Sequence, residues 1–175
     1  MQRLYRDTNI QFMLADTRFH TLYLIYERFE RSVPNHVHGS GNYEIHYIEK
    51  GYGRSLIDGT AYPIMPNTLY ITGPHVEHAQ VPQSEDPMCE YCVYLKAEKK
   101  RKNQSPATHE GEFEILSSFE STPFWFGQDT QGAGSLIMEL FQELSEQKKG
   151  WMIQAEALLK QILVRLTRNY EKEIR

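Results

Sequence analysis

Cysteine is scarce: Cys89 and Cys92 are the only two in 175 residues, so the chain is not a disulfide-stapled scaffold. They form a lone C-x-x-C with no second pair for a zinc ribbon and no flanking helix for a redox motif. One or both read as small apolar side chains of a strand. Long apolar runs are missing too. No segment reaches the ~18 consecutive apolar residues of a membrane helix, and Met1-Gln2-Arg3-Leu4-Tyr5-Arg6 lacks the apolar centre of a secretory signal. A cytoplasmic protein without membrane contact is expected. Basic excess is the third absence: 19 Lys and Arg against 23 Asp and Glu give a net charge of -4, the wrong sign for a domain that itself wraps nucleic acid. The run Lys96, Lys99, Lys100, Arg101, Lys102 carries no interleaved aromatics for base stacking and reads as a solvated loop.

What the chain has in quantity is short aromatic and β-branched runs punctuated by turn residues, from 21 to about 95, which predicts an all-β sandwich or barrel. Strands are expected at 21–29, 43–49, 52–57, 60–64, 69–72, 78–81 and 90–95, with Asp58-Gly59 closing a tight hairpin. Pro63, Pro66, Pro74, Pro82 and Pro87 keep to strand ends and connections, as a residue without a ladder donor must. Residues 96–112, charged and polar around Pro106, read as a long loop.

The period then changes from two to helical. Ile137, Leu140, Phe141 and Leu144 repeat at helical spacing, and Lys148-Lys149-Gly150 supplies a stop. A second helix over 152–172 carries a wide apolar stripe of Ala155, Leu158, Leu159, Ile162, Leu163 and Leu166, extended by Ile153, Ala157 and Val164. The expected fold class is mainly β: a barrel over 1–131 followed by an antiparallel pair of α-helices over 132–175. Either the first helix covers the stripe within the chain, or a symmetric partner does. The second reading makes 132–175 a dimerisation hairpin with Leu158, Leu159, Ile162, Leu163 and Leu166 at its interface.

Chemistry concentrates between Pro34 and His78. Alternate residues of an extended strand share a face, so His36 and His38 point one way, as do Glu44 and His46. If His78 joins them, His36, His38, Glu44 and His78 supply three imidazoles and a carboxylate, a mixed shell suited to zinc, iron, manganese or nickel. The same groups, with His46, can instead hydrogen-bond a polar ligand. His46, among apolar neighbours, reads as a pocket wall; His75 lies in a turn facing solvent; His20 and His109 have no partners in sequence.

His-x-His, then Tyr43-Glu44-Ile45-His46-Tyr47-Ile48-Glu49-Lys50-Gly51-Tyr52-Gly53, then Pro74-His75-Val76-Glu77-His78, resemble in order and spacing a cupin (jelly-roll-like) barrel. More specifically, they resemble the amino-terminal effector-binding and dimerisation domain of AraC-family transcriptional regulators. Leu140-Phe141-Gln142-Glu143-Leu144 and the helix ending Leu166-Thr167-Arg168-Asn169-Tyr170 are similar to the helices through which such regulators dimerise. The resemblance implies a sensor rather than an enzyme. It would bind a small polar effector, typically a sugar, in a pocket walled by His36, His38, Glu44, His46 and His78, with no required cofactor and with a divalent metal at His36, His38, Glu44 and His78 as an option. It also implies a homodimer that meets DNA only through a carboxy-terminal domain with two helix-turn-helix units; that domain is absent here, and Arg175 falls where the linker to it is expected. Tyr23 or Trp125 would stack against the ligand. The alternative is a stand-alone cupin metalloenzyme using the same three histidines and Glu44. Three departures stand out: five residues, rather than three or four, separate His38 from Glu44; His75 replaces a glycine of the second motif; and Pro82 replaces its asparagine.

Overall fold

The computed structural model describes residues 1–100 and 109–171, and most of its strands lie where aromatic and β-branched residues cluster. In chain order they are β1 (Gln2–Arg6), β2 (Gln11–Leu14), β3 (Thr17–Arg28), β4 (Val33–His36), β5 (Asn42–Lys50), β6 (Gly53–Ile57), β7 (Thr60–Ile64), β8 (Thr68–Thr72), β9 (His78–Pro82) and β10 (Cys89–Lys99). Helix α1 (Glu110–Ser121), strand β11 (Phe124–Gln128) and helices α2 (Ala133–Glu146) and α3 (Trp151–Tyr170) complete the described chain. The strands form two antiparallel sheets. One runs β1-β3-β10-β5-β8-β11 with β2 also on β3; the other runs β4-β9-β6-β7. Asp58 and Gly59, at φ 47° and 81°, turn β6 into β7 as a two-residue hairpin.

The large sheet has two unlike faces. On β5, Tyr43 and Ile45 point to the helices, and on β10 Tyr91, Val93 and Leu95 do the same. Their neighbours in the alternation, Glu44, His46, Glu90 and Cys92, point the other way, toward the small sheet. The apolar face carries the main core, shared with Leu116 and Phe119 of α1, with Ile137, Leu140, Phe141 and Leu144 of α2, and with α3. Between the sheets lies a smaller apolar cluster of Phe29, Ile48, Ile64, Tyr70 and Met88. Gly134 lets α2 approach the sheet, since a Cβ there would stand 2.2 Å from the Tyr47 ring. Asp129 fixes the start of α2, accepting from the Gly134 amide (2.8 Å) and from Asn169 of α3 (3.1 Å).

The mainly β barrel with a terminal helix pair is present, with additions. Strands β1, β2, β4 and β11 were not expected, nor was α1, whose first residues fall inside the segment read as a loop. That segment is otherwise divided: β10 extends to Lys99, so Lys96 and Lys99 of the basic run are strand residues, and 101–108 lie outside the described residues. Lys99 reaches Asp16 and Glu120, each at 3.2 Å.

The leucine stripe is also corrected. Leu158, Leu159, Ile162, Leu163 and Leu166 are 0–5% exposed and packed in the chain's own core, so they present no surface to a partner. The stripe is wide because it is covered within the chain by α1, α2 and the sheet together. Cys89 and Cys92 are both free thiols buried in β10, as the sequence predicts.

Candidate functional site

Cross-strand register places the polar residues of the large sheet's inner face in rows. Tyr23, Tyr94, Glu44 and Thr72 face one another across β3, β10, β5 and β8, and Ile25, Cys92, His46 and Tyr70 form the next row. From the small sheet, His36 at the end of β4 pairs directly with His78 at the start of β9. His38 lies just past β4 in the following loop rather than on the strand.

These elements bring His36, His38, Glu44 and His78 together, with one ring nitrogen or carboxylate oxygen of each within 4.8 Å of the others. Glu44 Oε2 is the common neighbour: His78 Nε2 lies at 2.9 Å, His38 Nε2 at 3.0 Å and His46 Nε2 at 3.7 Å. The five-residue spacing after His38 therefore does not keep Glu44 away. Tyr23 donates to the other carboxylate oxygen at 2.8 Å. Each clustered imidazole is held through its Nδ1: His36 on the Pro34 carbonyl (2.8 Å), His78 on the Val76 carbonyl (3.0 Å) and His38 against the Tyr94 hydroxyl (3.0 Å). That arrangement turns the Nε2 atoms of His38 and His78 toward Glu44, the orientation in which histidines ligate a metal while an outer partner fixes the ring.

The donor set fits a divalent cation. Two ligands about 2.1 Å from one ion at right angles lie roughly 3 Å apart, the spacing of Glu44 Oε2 from His38 and His78. The Nε2 of His38 is buried with no aligned hydrogen bond, a nitrogen left for a further partner. Burial pushes the Glu44 carboxyl upward, but the imidazoles of His38, His78 and His46 outweigh it and hold the group well below the usual carboxylate range. Burial, reinforced by His78, lowers His36, which favours its neutral, ligating form.

His46 belongs to an adjoining network. Its Nδ1 faces Glu90 Oε1 (3.1 Å) and its Nε2 faces Thr72 Oγ1 (2.9 Å), while Tyr70 (3.3 Å) and Gln80 (2.5 Å) donate to Glu90 Oε2. A cavity of about 270 Å³ opens onto both groups, with Tyr23, Glu27, His36, Glu44, His46 and Glu90 in its wall. Three larger hollows, about 490 Å³ beside Tyr52 and Met65, about 880 Å³ beside Met1 and Arg31 and about 410 Å³ beside Asp16 and Phe113, contain none of the clustered histidines. Size alone does not mark the site.

Of the two candidate rings, Tyr23 lines the cavity, whereas Trp125 faces away and packs on Tyr170 of α3. His75 is exposed at φ 64°, the left-handed conformation that suits the glycine it replaces. His20 lies on β3, and His109 immediately precedes α1. Sequence reasoning missed Glu90, Gln80, Tyr70, Thr72 and Tyr94. The signal for Glu90 was its two-residue spacing from Cys92 and Tyr94, which puts all three on one strand face.

The two-sheet barrel with histidines and a glutamate turned inward is a cupin fold. The sequence model of the AraC-like ligand binding domain matches residues 19–163, most of the chain, and the chain belongs to that family. Comparison with curated proteins finds no match. Among solved structures, a cupin protein from Bacteroides fragilis is 20% identical with a TM-score of 0.38, covering 55% of this chain and 81% of its own. A protein described as a predicted oxalate decarboxylase from Thermotoga maritima is 17% identical with a TM-score of 0.36, covering 52% and 96%. YhaK from Escherichia coli is 12% identical with a TM-score of 0.44, covering 62% and 52%. Among the described residues no helix is long and apolar enough to cross a membrane.

Proposed function

We propose that this chain is the effector-sensing domain of an AraC-family transcriptional regulator, binding a small polyhydroxylated metabolite, a sugar by preference, in the barrel. The supporting observation is the gathering of the His36, His38, His46 and His78 imidazoles around Glu44, with Glu44, His36 and His46 in the wall of one cavity, in a member of a ligand-binding family. A sugar's hydroxyls would donate to Glu44 and exchange hydrogen bonds with the imidazoles, and Tyr23 would lie against its apolar face. A divalent cation held by His36, His38, Glu44 and His78 would act as a Lewis acid that anchors a ligand oxygen in place of water.

The domain works in the cytoplasm as a homodimer on this reading, with DNA bound by helix-turn-helix units carried elsewhere in the regulator and no catalysis of its own. With the leucines of α3 committed to the core, the large apolar residues exposed on the helices among the described residues are Phe113, Met138 and Ile153, at 49%, 38% and 73%. The test is a thermal-shift screen of sugars and related metabolites, followed by calorimetry on the wild type and on His38→Ala. Ligand-dependent stabilisation that disappears in the variant supports the assignment; undiminished binding removes it. The alternative is a stand-alone cupin metalloenzyme using the same three histidines and Glu44, and metal-dependent turnover abolished by a chelator would establish that reading instead.

A further inference from the structure

A second group of ligating side chains lies beside the first. His46, Glu90 and Cys92 are 2%, 3% and 4% exposed, and one ligating atom of each lies within 4.8 Å of the others. Their convergence follows from the ladder: Cys92 is the Cα partner of His46 across β10 and β5, and Glu90 shares the Cys92 face two residues earlier. We propose that His46 Nδ1, Glu90 Oε1 and Cys92 Sγ form a second cation site, selective for a thiophilic divalent ion such as Zn²⁺ or Co²⁺. It shares no ligand with the set His36, His38, Glu44 and His78, although His46 also stands 3.7 Å from Glu44 in the wall of the proposed effector cavity.

Three observations carry this. First, the geometry suits ligation: His46 Nδ1 and Glu90 Oε1 are 3.1 Å apart, the spacing of two ligands each about 2.1 Å from one ion. Second, the opposite atoms of the same side chains are already held, His46 Nε2 by Thr72 and Glu90 Oε2 by Tyr70 and Gln80. Outer partners of that kind orient the rings and carboxylates of a metal site. Third, Glu44 and Glu90 are both buried, yet no Lys or Arg is buried among the described residues. Glu44 has several imidazoles around it, whereas Glu90 has one, His46, beside the neutral donors Tyr70 and Gln80. A buried carboxylate needs a compensating positive charge or a full set of donors, and a divalent ion strengthens that compensation.

The sulfur sets the selectivity. Thiolate, imidazole and carboxylate together suit zinc or cobalt and disfavour calcium and magnesium, which take oxygen ligands. Ligation forms the metal–sulfur bond and releases the thiol proton to water. His46, Glu90 and Cys92 all line the cavity, from which water or a ligand atom would complete the coordination.

The test is titration of the metal-free 175-residue chain with Co²⁺, read by absorbance. A near-ultraviolet thiolate-to-cobalt charge-transfer band is expected. It should vanish in Cys92→Ser, survive in Cys89→Ser and survive in His36→Ala/His38→Ala. Zinc X-ray absorption on the wild type needs no variant and should find one sulfur at about 2.3 Å. Cobalt binding without the band, a band that survives Cys92→Ser, or zinc with only nitrogen and oxygen neighbours would each overturn the second site. The sugar screen above reads separately, so failure of one proposal is distinguishable from failure of the other.

Discussion

Replacing Leu163 by alanine separates a stripe that stabilises the monomer from one that joins two chains. Leu163 is fully buried between α3 and the rest of the core. The change removes roughly three methyl-sized groups, worth about 2.4 kcal/mol of transfer at ~0.8 kcal/mol each. A residual cavity of about 50 Å³, at ~24 cal/mol per Å³, adds about 1.2 kcal/mol. The expected loss is therefore about 3.5 kcal/mol, or about 7–14 °C in melting temperature for a domain of this size. Urea unfolding followed by circular dichroism should show a lower midpoint with an unchanged slope. Because the contacts are internal, the difference between wild type and variant should hold across a roughly hundredfold range of protein concentration. Ile153→Ala, on the exposed face, should change stability by no more than about 0.5 kcal/mol. The reasoning fails if Leu163→Ala leaves the chain's stability intact and instead raises a dimer dissociation constant measured by sedimentation.

Other consequences follow from the site and its supports. The Glu44 carboxyl is held below its ordinary value of 4.5, so its charged form contributes stability that is complete above that pH and is lost as pH falls toward the lower folded value. In metal-free protein, stability should accordingly fall with pH below about 4.5 more steeply for wild type than for Glu44→Gln, as calorimetry across that range would record. Tyr23→Phe removes the donor to Glu44 and should cost about 1.5 kcal/mol of stability in a urea melt, with weaker effector binding by calorimetry. Gly134→Ala drives a methyl group into the Tyr47 ring and should cost about 1–3 kcal/mol. Adding Tyr47→Ala should recover part of that loss, and strict additivity in the double variant would refute the contact.

Legibility in the sequence follows how strongly each element's burial is written in its pattern. The hairpin at Asp58-Gly59 and strand β7 appear as read, because the turn requires residues that tolerate positive φ. The α2–α3 pair was readable from two wide apolar stripes. Helix α1 was not: it contains Gly111 and a Ser117-Ser118 pair, and only Leu116 and Phe119 are buried. Strand β1 pairs with β3 alone and buries no residue fully, and β11 is a short aromatic run interrupted by Gly127. The residue types of the metal-capable set were legible, but the shared strand face read for His36 and His38 is not what unites them, since His38 lies in the loop past β4. Where the chain's path brought His36 opposite His78 was visible only in three dimensions.

Glu90 was hidden for a more general reason. In most half-buried strands the polar alternates face water and the apolar ones face the core. In β5 and β10 both sets are buried: Tyr43, Ile45, Tyr91 and Val93 against the helices, Glu44, His46, Glu90 and Cys92 inside the barrel. A glutamate between two apolar neighbours then looks solvent-facing when it is among the most enclosed groups in the molecule. The same inversion bears on sensing. Residues one apart on β5 touch the cavity with one side chain and the helices with the next, as Glu44 meets His78 while Tyr43 packs on Phe119 of α1 at 4.5 Å between ring centroids. The layer between cavity and helices is thus a single sheet. Any ligand that binds one setting of β5 more tightly than another biases the helices by the same free energy, with no longer path required.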